Sequence, residues 1–174
     1  MTEQNIIAKY VPNFVTLLSL SSGFTSISFS LNKEWEIAIY LILLATVFDF
    51  FDGWFARKLK SGSNFGAELD SLSDFVSFGV APSILIYLWS TNSLGSLGWG
   101  ATLFFVICSS LRLARFTADI YITNKPIDNN EFFVGVPSPA AAGLVLLPLF
   151  IFFEFNLEFV KNEYLNLFTT ILIG

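Results

Sequence analysis

Five apolar stretches, at about 14–31, 37–56, 67–89, 101–116 and 134–153, follow one another along the chain, with short turns between the first four and a longer polar stretch, Thr117 to Phe132, before the fifth. Each is close to the roughly 20 residues that carry a helix across the hydrocarbon of a bilayer. A backbone placed there must satisfy its own hydrogen bonds, and a helix does so within one segment. A sixth stretch starts near Tyr164 and stops at Gly174. At about 1.5 Å per residue it crosses only about half a bilayer. Either its helix begins earlier and tolerates Lys161 and Glu163 near an interface, or the chain is cut short. The expectation is an all-α fold, a polytopic transmembrane helical bundle of about six helices. It forms one integral membrane domain over 1–174, with 1–10 as an interfacial segment and the last helix open to truncation.

Composition agrees. Hydrophobic residues make up 54% of the 174 and charged residues 13%, which excludes a globule with a polar surface. The mean hydropathy is +0.67. The 21 phenylalanines suit a lipid-facing exterior. The first stretch is preceded only by Lys9 and carries no small-x-small cleavage site, so it reads as a retained helix rather than a signal peptide. Histidine is absent and Cys108 is the single cysteine, so no catalytic histidine, Cys/His metal site or internal disulfide is available. Cys108, inside an apolar run, reads as a small packing residue. No basic patch supports nucleic-acid binding. Chemistry falls to carboxylates, basic side chains, hydroxyls and metals.

The acids are not scattered. Asp49, Asp52, Asp70 and Asp74 sit where apolar stretches meet, and an uncompensated carboxylate is costly there. On a helix with Asp49 as zero, Asp52 falls at about 300°, Gly53 at about 40° and Ala56 at about 340°. With Gly66 as zero on the next helix, Asp70 falls at about 40°, Asp74 at about 80°, Ser73 at about 340° and Ser77 at about 20°. The basic turn Arg57 to Asn64 joins the two, so the helices are expected to be antiparallel neighbours with their aspartate faces opposed. Helix capping needs one acid per end, not two. Four carboxylates facing one another in an apolar setting call for divalent cations, and oxygen-only ligands suit Mg²⁺, Mn²⁺ or Ca²⁺ rather than zinc. The small residues leave room for a ligand to approach the backbone.

The pattern Asp49-x2-Asp52-Gly53-x2-Ala56-Arg57-x8-Gly66-x3-Asp70-x3-Asp74 resembles the signature of the CDP-alcohol phosphatidyltransferase family at every position and spacing. The resemblance implies that family's membrane fold and a catalytic domain that moves a phosphatidyl group from a CDP-linked lipid to an alcohol, releasing CMP. It implies two divalent cations, Mg²⁺ or Mn²⁺, held by Asp49, Asp52, Asp70 and Asp74, with Asp74 also the general base. Gly53, Ala56, Arg57 and Gly66 then belong to the CDP and phosphate site. Arg57 could alternatively be an anchor, the reading given to Lys58 and Lys60. Asn13 and Thr16, one turn apart after Pro12, read as ordinary capping at a helix start; the resemblance extends to this Pro-Asn-x-x-Thr element and implies that it lines the nucleotide pocket.

Arg112 and Arg115 lie about 60° apart on one helix, each followed by apolar residues, and suit a carboxylate or phosphate on a small substrate. Further blocks are Pro12 to Ser19, Ser73 to Pro82, Leu111 to Phe116 and Phe133 to Ala142. Together they resemble the phosphatidylserine synthase branch of the family. The acceptor implied is L-serine, the donor CDP-diacylglycerol, and Arg112 and Arg115 would hold the serine carboxylate. Glycerol 3-phosphate or an inositol phosphate is the alternative acceptor, and a dianionic phosphate favours a larger basic pocket. Members of that branch commonly have further transmembrane helices at the C-terminal end, which bears on the expected homodimer. A cation transporter is the reading from another class; it predicts acids near mid-membrane, whereas these gather at one interface.

Orientation can be read from lysine and arginine alone. With a cytoplasmic N-terminus, the inner side receives Lys9, Arg57, Lys58, Lys60, Arg112, Arg115 and Lys125, and the outer side Lys33 and Lys161. The expected location is the inner membrane, with the N-terminus and the active site on the cytoplasmic side.

Overall fold

The computed structural model describes residues 3–59, 63–122 and 136–174. These form six principal helices: α1 Glu3–Leu31, α2 Trp35–Lys58, α3 Asn64–Trp89, α4 Ser96–Ile122, α5 Ser138–Phe155 and α6 Glu163–Ile173. Five are long and apolar enough to cross a membrane, and α6, at 11 residues, is shorter. The fold is therefore the expected polytopic helical bundle, with five spans of membrane length in place of about six. Helix α6 does not begin earlier than Glu163: Asn162 caps it, its Oδ1 accepting from the Tyr164 and Leu165 amides at 3.0 and 3.3 Å.

Two boundaries depart from the sequence expectation. Pro12 does not start a helix. It lies inside α1, which runs unbroken from Glu3, and the Thr16 hydroxyl donates to the Pro12 carbonyl at 3.0 Å. Pro82 is a candidate kink position in the third apolar stretch, and just before it the helix widens to π winding over Phe75–Val80, with the Ala81 amide reaching back five residues to the Val76 carbonyl. This accommodates the missing proline N–H without a break. Helix α4 extends past 116 to Ile122, into the stretch read as polar; Thr117 helps by bonding back to the Leu113 carbonyl at 2.9 Å. Lys60, Lys125, Asp128, Glu131, Phe133 and Gly135 lie outside the described residues.

Between membrane helices burial of apolar surface supplies little drive, so close approach and interhelical hydrogen bonds matter. Helix α1 supplies both. Its Ser19 and Ser26 hydroxyls donate to the Ala45 and Ala38 carbonyls of α2, each at 2.9 Å. From α3, the Ser73 and Ser77 hydroxyls donate to the Thr16 and Ser19 carbonyls of α1, each at 3.2 Å. Gly23 makes the α1–α3 crossing possible, since a Cβ there would lie 2.6 Å from the Ser77 Cα. The core gathers Ile39, Ile42, Phe78, Leu85, Phe105 and Leu146 from α2 to α5. At the far end of α3, buried Asn166 of α6 donates to Ser90 Oγ at 2.9 Å and to the Val160 carbonyl at 3.0 Å. These contacts hold α1, α2 and α3 as a tight group whose polar ends share one layer.

Candidate active site

Helix α1 packs along both α2 and α3, while α2 meets α3 chiefly from Phe75 onward. The aspartate-bearing start of α3 thus stands off from α2, and the carboxylates reach across the gap. One oxygen from each of Asp49, Asp70 and Asp74 lies within 4.8 Å of the other two, and Asp49 and Asp74 are within hydrogen-bonding reach of each other. Asp52 is not in this triad. Three residues along α2 it is rotated about 60° from Asp49. That turn brings it within hydrogen-bonding reach of Thr16 on α1. It is only 4% exposed. Its Oδ2, like Oδ1 of Asp74, is buried with no hydrogen-bond partner.

This donor set fits divalent cations. The ligands are all oxygen, they come from two rigid helices, and two buried carboxylate oxygens have lone pairs with nothing to accept. No arginine or lysine among the described residues is ion-paired to the cluster.

The other expected site residues divide. Asn13 and Gly66 come together: a Cβ on Gly66 would sit 3.1 Å from Asn13 Oδ1 and 3.3 Å from Ser63 Oγ. Ser63, which sequence reasoning passed over, caps α3 by accepting from the Gly66 amide at 3.1 Å. Arg57 folds back along α2, and a Cβ on Gly53 would lie 3.4 Å from its Nη1; half-buried Ala56 lies on the same turn. Lys58 instead caps the Trp54 ring at 4.3 Å, an interfacial anchor. Arg112 donates to the Val136 carbonyl at 3.2 Å, just before α5. Arg115 is exposed and has no ion-pair partner among the described residues. The structure therefore does not gather the two arginines with the aspartates by any direct bond. Ser73 and Ser77, which share the polar stripe of α3, are buried against α1 and serve packing. The wheel already separates them, with the serines on one edge of the stripe and the aspartates on the other.

Fold and site together define a multi-pass helical membrane protein with a cluster of carboxylates that could hold a divalent cation. The chain belongs to the CDP-alcohol phosphatidyltransferase family, whose model matches residues 9–173. It is 43% identical over 143 residues to a CDP-diacylglycerol–serine O-phosphatidyltransferase of Mycobacterium leprae, covering 80% of this chain and 47% of the relative. A Helicobacter pylori protein of the same name is 34% identical over 163 residues, 94% of this chain and 67% of the relative. An archaetidylserine synthase of Methanothermobacter thermautotrophicus is 39% identical over 140 residues, 76% of this chain and 54% of the relative. The chain spans about half the length of its mycobacterial relatives.

Proposed function

We propose that this chain transfers a phosphatidyl group from CDP-diacylglycerol to the hydroxyl of L-serine, giving phosphatidylserine and CMP. The observation that carries the reading is the meeting of Asp49, Asp70 and Asp74 within 4.8 Å in a chain of this family. The names of its relatives support serine as the acceptor.

Asp49, Asp52, Asp70 and Asp74 would hold two divalent cations, Mg²⁺ or Mn²⁺, which supply neutralisation of the pyrophosphate and of the departing CMP. The chain's own groups do the rest. Asn13, Thr16, Gly53, Ala56, Arg57 and Gly66 form the wall against which the CDP moiety lies, and Arg57 balances a phosphate charge. Asp74 takes the proton of the serine hydroxyl, for which its partnerless Oδ1 is suited. The serine oxygen then bonds to the lipid-bearing phosphorus, the bond from that phosphorus to the CMP oxygen breaks, and CMP leaves. Arg112 and Arg115 hold the serine carboxylate; a guanidinium has five N–H donors, so Arg112 can keep Val136 and still bind an anion. The lipid chains lie in the bilayer alongside the phenylalanines. The excess of Lys and Arg at the aspartate end puts the site and the N-terminus on the cytoplasmic side. A homodimer is the expected assembly.

The test is CMP release by the purified protein in mixed micelles with CDP-diacylglycerol and Mg²⁺ or Mn²⁺, comparing L-serine, glycerol 3-phosphate and inositol 1-phosphate, with EDTA as control. Metal-dependent release stimulated only by serine is expected. Stimulation only by a phosphorylated acceptor would overturn the serine assignment.

A further inference from the structure

A pair of hydroxyls with no part in the chemistry joins the helix of the aspartates to the helix of the arginines. Ser71, next to Asp70 on α3, lies 3.1 Å from Thr117 on α4, Oγ to Oγ1. Each also has a carbonyl of its own helix in range: Ala67 at 3.0 Å from Ser71, and Leu113 at 2.9 Å from Thr117. Two hydroxyl protons thus serve three acceptor contacts. One hydroxyl must share its proton with, or give up, its own helix to make the bond across.

Thr117 lies about 140° around α4 from Arg112 and about 160° from Arg115. The side of α4 that meets α3 therefore runs from Thr117 to Ser109, and Arg112, about 60° beyond Ser109, flanks it and reaches the Val136 carbonyl. Ser109, packed against Gly79, lies between these two contacts, where a Cβ on Gly79 would sit 3.3 Å from the Ser109 Cβ. Buried Ala101, Phe105 and Ser109 pack the rest of α4, and at its polar end the Ser71–Thr117 clasp and the Arg112–Val136 bond are the contacts on its two edges. A roll of about 10° moves groups at the helix surface by about 1 Å, enough to spoil the alignment of a small bound molecule.

We propose that Ser71 and Thr117 are a positioning pair for acceptor binding: their bond sets the rotation of α4 and so aims its arginines relative to the aspartates. The inference rests on the reading of Arg112 and Arg115 as acceptor residues. The pair touches neither substrate.

Five proteins test it: the four of a double-mutant cycle, wild type, Ser71→Ala, Thr117→Val and the double variant, and Thr117→Ser as the conservative control. Thr117→Val keeps the β-branched shape and removes the hydroxyl. The expected result is a rise of roughly three- to tenfold in the KM for serine. The KM for CDP-diacylglycerol should stay within about twofold, Thr117→Ser should recover the wild-type value, and the double variant should be no worse than Thr117→Val alone. An unchanged serine KM, or an equal rise for both substrates, overturns the proposal. Unfolding midpoints in detergent supply an arm that needs no activity. Non-additive losses across the four proteins support the clasp and additive losses overturn it, so a wild type inert with every acceptor would defeat the transferase reading while the clasp is still judged.

Discussion

Asp49 and Asp52 are three residues apart on α2, and that spacing sends them to different neighbours. Asp49 faces Asp70 and Asp74, while Asp52 turns to Thr16 on α1. Removing their charges should therefore act unequally. Asp49→Asn is expected to raise the Mn²⁺ concentration for half-maximal CMP release by tenfold or more, on the order of a lost charged ligand, and Asp52→Asn by less. A Mn²⁺ titration of both variants checks this, and equal shifts would mean that Asp52 joins the triad when metal is loaded. Asp74→Asn should keep binding of CDP-diacylglycerol yet lower turnover by about a hundredfold or more; turnover preserved in a single-turnover assay would remove Asp74 as the base.

Among the elements, α1 governs the geometry most. It carries no aspartate, yet its carbonyls at Thr16 and Ser19 receive the serines of α3, and its own serines bond to α2. At Gly23 α1 lies so near α3 that a Cβ has no room beside Ser77. Gly23→Val would force side-chain atoms against the Ser77 backbone, so the helices must part. The cost should be about 1–3 kcal/mol, read as a lower unfolding midpoint in detergent, with CMP release falling because Asn13 and Gly66 separate as well. An unaltered midpoint would show that the two helices do not cross there. The π winding at Phe75–Val80 begins one residue after Asp74. It leads directly into Pro82, and Asp74 and the buried Phe78 stay on one continuous helical element.

For the whole molecule the open quantity is sidedness. In a Cys108→Ser background, cysteines introduced singly at Lys33 and Asn156 should react with an impermeant maleimide applied outside intact cells, whereas one at Lys58 should react only after lysis. Labelling of Lys58→Cys from outside would reverse the orientation. The sequence alone determined the class of fold and which carboxylates would gather, three of which meet within 4.8 Å. Apolar lengths near 20 residues leave a backbone little choice but helices, and carboxylates at spacings of three and four on two such helices must share a face. The small residues it singled out do stand at close approaches, Gly66 against Asn13 of α1 and Gly53 against the Arg57 side chain. Only the tertiary structure decided which members of a shared face point where. Asp52 stays near the other aspartates but turns to Thr16 outside their 4.8 Å triad, Ser73 and Ser77 are drawn into the α1 contact, and Arg112 turns to Val136. The physical reason is that helical periodicity sets angles within one element, whereas a side chain's partner depends on how its helix is rotated against its neighbours. That rotation rests here on contacts such as Gly23 with Ser77 and Ser71 with Thr117, between residues more than 40 positions apart in the chain.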